Sequence, residues 1–179
     1  MRRFILTGAP GAGKTTVARR LGGTVVEAAA TDLITAAQAA GVDEPWTDPA
    51  FTEDVAALQR DRQIRADALP GPVLYFDRSP VCTLALARFL GHPVGPVLAA
   101  ELDRIRTGRV SQATVLCFDL LGAITPTPAR RIGLDQARAF ELVHLDAYAE
   151  HGYRVERIPA AGEAERTALV SALAAALAA

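Results

Sequence analysis

The stretch GAPGAGKTT, Gly8 to Thr16, follows directly on the apolar run Phe4-Ile5-Leu6. No other part of the chain limits the fold so tightly. Gly8-Ala9-Pro10-Gly11-Ala12-Gly13-Lys14-Thr15 meets every fixed position of the pattern G-x-x-x-x-G-K-[ST], and it lies between a predicted strand and a predicted helix, as the pattern requires. The glycines let the backbone turn so that successive N–H groups point inward. Together with the positive end of the next helix, those groups make a concavity for phosphate oxygens. Lys14 supplies a mobile point charge for the β- and γ-phosphates, and the Thr15 hydroxyl can ligate Mg²⁺. Gly8 to Thr16 are therefore the expected nucleotide contacts, with ATP and Mg²⁺ the expected ligands. Of the 19 basic residues, 18 are arginine and Lys14 is the only lysine. A planar guanidinium cannot replace a compact ammonium reaching over such a loop.

Short apolar strands are predicted at Phe4–Thr7, Thr24–Val26, Val73–Phe76, Thr114–Phe118 and Tyr153–Ile158. Helical periodicity covers about 14–22, 28–40, 50–68, 80–90, 96–107, 134–151 and 163–178. Continuous apolar strands joined by crossover helices imply a parallel sheet covered on both faces. The expected fold is thus α/β: a three-layer, doubly wound P-loop NTPase arrangement with a mainly parallel five-stranded sheet. Its 179 residues fit one domain, 1–179, with an acceptor-side helical segment at about 28–70 and a lid at about 119–135. Two stretches, Gly41–Pro49 and Gly122–Pro128, follow neither periodicity, and loops of that length are often functional.

A net charge of −1 offers no basic field for nucleic acid. Cys82 and Cys117 sit in apolar stretches without C-x-x-C spacing and read as buried free thiols. Met1 is followed at once by Arg2-Arg3 and a strand, and no window approaches 18 apolar residues without charge. These features lead to the expectation of a cytoplasmic chain that binds no membrane. Oligomeric state is open, a homodimer included.

Several other side chains belong with the loop. Val73-Leu74-Tyr75-Phe76-Asp77 is an apolar strand ending in an acid, the position from which a carboxylate reaches the metal shell. Ser79-Pro80 already offers the following helix a cap and an N1 proline, so Asp77 is not needed as one. Glu27 closes the second strand and can approach an acceptor hydroxyl, with Asp32 as a rival base. Arg130 and Arg131 lie where a mobile segment could bring guanidinium groups to phosphoryl oxygens; a solvated helix start is the other reading. Trp46 and Phe51 could stack on an acceptor ring or simply pack in the core.

Taken together, MRRFILTGAPGAGKTT, VVEAA, EPWTDPAF with its helix through Gln59 and Gln63, LYFDRSP, and AYAEHGYRVERIP followed by EAER resemble the small P-loop proteins labelled AAA-family ATPases. That group stands with the ribosylnicotinamide-kinase domain of NadR and is similar in fold to nucleoside and nucleotide kinases. The resemblance runs from Met1 to about Leu173. The Asp77-Arg78 pair resembles the acid-arginine pair of thymidylate and deoxynucleoside kinases, which implies that Asp77 acts near the transferred phosphate and that Arg78 holds acceptor or phosphoryl oxygens. The resemblance also implies a nucleotide-base turn at Pro159–Gly162, where Arg166 could stack or else lie on the surface. The expected activity is transfer of the γ-phosphoryl of ATP to a small acceptor such as a nucleoside, a nucleotide or a related alcohol. Alternatives are an ATP-binding or ATP-hydrolysing regulatory protein and an antibiotic phosphotransferase. A GTPase form is excluded, because its N/T-K-x-D guanine reader needs a second lysine.

Overall fold

The computed structural model describes residues 1–177. Five strands, β1 (Arg2–Thr7), β2 (Thr24–Val26), β3 (Val73–Asp77), β4 (Thr114–Phe118) and β5 (Arg154–Ile158), form one sheet in the order β2-β3-β1-β4-β5. Every neighbouring pair is parallel. Among the described residues the helices are α1 (Lys14–Ala18), α2 (Ala29–Ala39), α3 (Ala50–Ala66), α4 (Pro80–Leu90), α5 (Pro96–Gly108), α6 (Leu134–Glu150) and α7 (Glu163–Ala176), with a 3-10 turn at Pro45–Thr47.

The period-two alternation of each strand divides the core between the two faces of the sheet. Ile5, Leu74, Phe76 and Val115 pack with Val81, Leu84, Ile105, Phe140 and Tyr148 of α4, α5 and α6. On the opposite face Phe4, Leu6, Tyr75, Leu116 and Phe118 pack with Val17, Val170 and Ala174 of α1 and α7. Strands buried on both faces must be apolar at every position, and this is why β1, β3 and β4 read as continuous greasy runs. The result is the three-layer P-loop NTPase fold, its sheet wholly parallel. Because β1 has β3 on one side and β4 on the other, the chain reverses its winding there, and the crevice at the carboxyl ends of those strands opens at the end of β1.

Two expected helices end differently. α1 stops at Ala18 and not near residue 22: Arg20 and Leu21 bond three residues back, to Val17 and Ala18, in tightening turns. Gly23 then lies against the Tyr75 ring, where a Cβ would come to 3.1 Å, so the chain must leave the helix to begin β2. α7 ends at Ala176 with Leu177 as its C-cap, one residue short of what was expected there, and residue 178 of the predicted helix lies outside the described residues.

The start of the loop depends on one close approach. Gly8 has φ +123°, and a Cβ there would sit 2.5 Å from the Phe118 carbonyl oxygen of β4. Both the conformation and the contact demand glycine. Gly8→Ala should therefore destabilise the chain by roughly 1–3 kcal/mol in chemical denaturation, and an unchanged midpoint would refute this close packing of β1 against β4.

Candidate functional site

The ladder between β1 and β3 pairs Leu6 with Asp77, so the acid at the end of β3 stands beside the strand that runs into Gly8. Asp77 Oδ2 accepts the Thr15 hydroxyl at 2.6 Å, while its Oδ1, fully buried, has no partner among the described residues. A hydroxyl and a carboxylate side by side are hard oxygen donors of the kind Mg²⁺ takes together with phosphate oxygens. The donor set fits that ion, and Thr15 and Asp77 would hold it.

Lys14 Nζ donates to the carbonyls of Gly8 at 3.0 Å and Ala9 at 2.9 Å, bending over its own loop. Burial lowers its pKa to about 7; repulsion from Arg78 adds to this and attraction to Asp77 opposes it. An anion bound in the loop favours the charged ammonium and reverses that balance. Since α1 has only five residues, the anion-attracting character comes mainly from the loop amides and this ammonium, with little helix dipole behind them.

Arg166 departs from the expected surface or base-stacking position. It is 2 % exposed, with Nη1 donating to the Ala12 carbonyl at 2.7 Å and Nη2 to that of Asp119 at 3.1 Å, and its guanidinium lies over the Phe118 ring. It braces the loop from behind and does not line the cavity. The left-handed Gly13 (φ +77°) leaves room for it, since a Cβ there would come to 3.3 Å from Nη1.

After Asp77 the chain turns through Arg78, a non-glycine residue held at φ +81°. Strain of this kind persists where the surroundings enforce it. Here the Arg78 N–H donates to the Leu6 carbonyl at 3.1 Å, and its Nη1 meets His144 Nε2 at 3.2 Å. His144 Nδ1 lies 2.9 Å from the Phe140 carbonyl, which can only accept, so Nδ1 carries the proton and Nε2 is left to accept from Arg78. A neutral buried histidine thus aims the arginine. Ser79 caps α4 by accepting from the Val81 N–H, with Pro80 next, as expected.

These elements open into a cavity of about 590 Å³. Its lining includes Pro10, Gly11, Gly13 to Thr16, Asp77 and Arg78 together with Trp46, Phe51, Arg130 and Arg131. The segment from 119 to 133 covers it without regular structure beyond a bridge between Thr127 and Arg130. It is tied down at two points: Gln38 Nε2 donates to the Pro128 carbonyl at 2.9 Å, and Arg131 pairs with Asp43, 2.7 Å between Nη1 and Oδ2, and with Glu44. The hydrogen bond from Arg131, helped by its charge, holds the Asp43 carboxyl below its usual pKa. Arg131 also lies over the Trp46 ring, 5.8 Å from its centroid, and Arg130 donates to the Thr125 carbonyl at 3.2 Å.

Glu27 and Asp32 are not brought into the cavity. Glu27 is paired with Arg19 at 3.0 Å on the outer flank, and Asp32 with Arg62, whose Nη1 also takes the Ala28 carbonyl at 2.9 Å. The arginines nearby in the fold capture both acids, which position at a strand end could not foretell.

A family model described as AAA domain matches residues 3–166. The chain belongs to the AAA domain family. No curated protein matches it. Membership agrees with the loop geometry and makes this a P-loop nucleotide-binding domain. Within this AAA domain, two contributors had been given no site role from the sequence. His144 shows no ligand spacing, and its role depends on a tautomer fixed by its own helix. Gln59, on α3, is 2 % exposed and lines the cavity; its four-residue spacing to Gln63 puts both on one face of the helix. Among the described residues no helix is long and apolar enough to cross a membrane.

Arg166→Met keeps much of the apolar contact but removes the bonds to the carbonyls of Ala12, Asp119 and Ile158, so it should lower the thermal midpoint and weaken nucleotide binding by about tenfold in calorimetry. Wild-type affinity in a folded variant would deny the brace any part in shaping the loop.

Proposed function

We propose that this chain is an ATP-dependent phosphotransferase of the ribosylnicotinamide-kinase and nucleoside-kinase type, moving the γ-phosphoryl of ATP to a hydroxyl of a small acceptor. The observation that carries the reading is the Asp77 carboxylate, one oxygen on Thr15 and the other without a partner among the described residues, in a cavity lined both by a phosphate-binding loop and by a second, largely apolar half. A simple nucleotide switch has no need of that second half.

In this reading the loop amides and Lys14 grip the β- and γ-phosphates. Mg²⁺, when bound by Thr15 and Asp77, neutralises charge on the phosphate oxygens. Arg78, aimed by His144, and Arg130 from the covering segment face the phosphoryl group, where charge spreads over the equatorial oxygens. The acceptor oxygen forms its bond to phosphorus as the bond to the bridging oxygen of ADP breaks, and the hydroxyl proton passes to a carboxylate. Asp77 takes that role, because Glu27 and Asp32 are held in ion pairs outside the cavity. Residues 119–133 act as the lid that excludes water, with Arg131 as its fastening to Asp43 and Glu44. Trp46 and Phe51 stand on the acceptor side. An antibiotic phosphotransferase would use the same machinery on a different alcohol.

Lys14→Ala should lower Mg–ATP affinity by about a hundredfold or more and abolish transfer; normal turnover by the folded variant would reject the loop as the ATP site. Asp77→Asn should lower kcat by about 10²–10⁴, with a smaller loss of nucleotide affinity measured by calorimetry. Equal losses in both would reduce Asp77 to a binding group.

A further inference from the structure

A second cavity, of about 520 Å³, opens at the amino end of the sheet. The start of β1, the approach to β4 and the approach to β5 meet there. The Gln112 N–H donates to the Arg3 carbonyl at 2.8 Å and the Arg154 N–H to the Ala113 carbonyl at 2.8 Å, which laces the three segments together. The last turn of α5 forms the side wall. Arg3 lies near one end of β1 and Gly8 just past the other, roughly 16 Å apart by the rise of a strand, so this cavity is remote from the phosphate-binding loop.

The second cavity is basic. Arg3, Arg106, Arg109 and His151 line it, and no carboxylate of the described residues does. In a chain whose net charge is −1, three guanidiniums around one partly apolar concavity concentrate positive potential at that place. The acids nearby neutralise little of it. Arg3 reaches only Oδ1 of Asp67, through Nε at 2.9 Å and Nη2 at 2.8 Å, and Arg106 reaches Asp103 through Nη2 alone, at 2.8 Å. Both carboxylates are exposed, at 46 % and 70 %, and pairs in water of this kind contribute little. Arg3 Nη1 and the Nε and Nη1 of Arg106 keep no partner among the described residues.

Arg109 is the most telling of the four. Its guanidinium is taken by no acid and no carbonyl among the described residues, yet its backbone holds φ +44° and ψ 50°, the left-handed turn at the end of α5. That turn has a steric cost which glycine avoids, and Gly108 just before it lies inside the helix instead. Nothing within the fold offsets the cost of an arginine there, whereas an anion in the cavity does.

The other lining residues describe the body of such an anion. Ile105, Val110 and Tyr153 give apolar surface, the Tyr153 ring being set edge-on against Tyr148 with centroids 5.4 Å apart. The Ser111 and Tyr153 hydroxyls are 3.4 Å from each other, and the Gln112 side-chain amide makes no hydrogen bond among the described residues, so neutral donors are open as well. A volume of this size suits a small molecule more than a bare ion. Guanidiniums match phosphate oxygens through paired N–H bonds.

We infer that this cavity is a second ligand site, separate from the nucleotide loop, for a small phosphomonoester with a compact, partly apolar body. The inference does not depend on the phosphotransfer reading.

The experiment titrates phenyl phosphate into the purified full chain carrying Lys14→Ala, which suppresses competition from the loop, and follows backbone amide shifts by nuclear magnetic resonance. Shifts are expected at residues 109–113 and 151–153. Benzoate, with a single charge, and inorganic phosphate, without an apolar body, should each bind about tenfold more weakly or worse. Adding Arg109→Gly removes the guanidinium and suits the left-handed turn, so the thermal midpoint should hold or rise while affinity for phenyl phosphate falls about tenfold or more. Arg106→Ala, outside that turn, should weaken binding likewise and carries the comparison if the glycine variant is unstable. Absence of shifts in those two segments, or unchanged affinity in either folded variant, overturns the site. Benzoate or inorganic phosphate binding as tightly as phenyl phosphate overturns the assigned ligand class.

Discussion

The parallel pairing of β1 with β3 is the constraint on which the rest of this molecule depends. It sets Leu6 opposite Asp77, so that a buried carboxylate reaches the hydroxyl of Thr15 across a separation of 62 residues. A slip of one residue would turn every side chain of β3 to the other face and point Asp77 away from the loop. The register is held because both faces of β1 and β3 are packed, Ile5 and Phe76 on one side and Phe4 and Tyr75 on the other. Core packing and site geometry are therefore the same fact seen at two scales.

Around that pairing the loop is supported from three directions. Gly8 presses on the backbone of β4, Arg166 from α7 binds the carbonyl of Ala12, and Lys14 closes over the carbonyls of Gly8 and Ala9. Each contact orients amide dipoles before any ligand arrives, so little reorganisation is left for the moment of binding. The short α1 makes this bracing more important, because there is little helix dipole to draw an anion in. Beyond the loop, three arginines line the cavity, of which Arg131 is paired with acids while Arg78 meets a histidine and Arg130 a backbone carbonyl.

Much of this was legible in the chain. The loop, the five strands and the acid closing β3 are local patterns, each set by a run of adjacent residues whose conformational needs do not depend on distant partners. The cap at Ser79-Pro80 is local in the same sense. The side chains that were misread share the opposite property. Glu27 and Asp32 were placed by their nearness to a strand end, but Arg19 and Arg62 decide which way they face. Arg166 looked like a surface residue on a terminal helix, and only the docking of α7 beneath the loop buries it. His144 belonged to no motif, and Gln59 stood in the resembling helix without a role of its own.

The amino-acid sequence by itself determined the parallel sheet with its buried central strands and the anion-binding loop at its edge, since apolar periodicity and glycine spacing act over a few residues. Tertiary structure alone decided which carboxylate meets the phosphate end, which arginines are free and which amide is left open. Those outcomes depend on pairings across tens of residues, where a charge or a donor is committed by whichever partner the packing brings within about 3 Å.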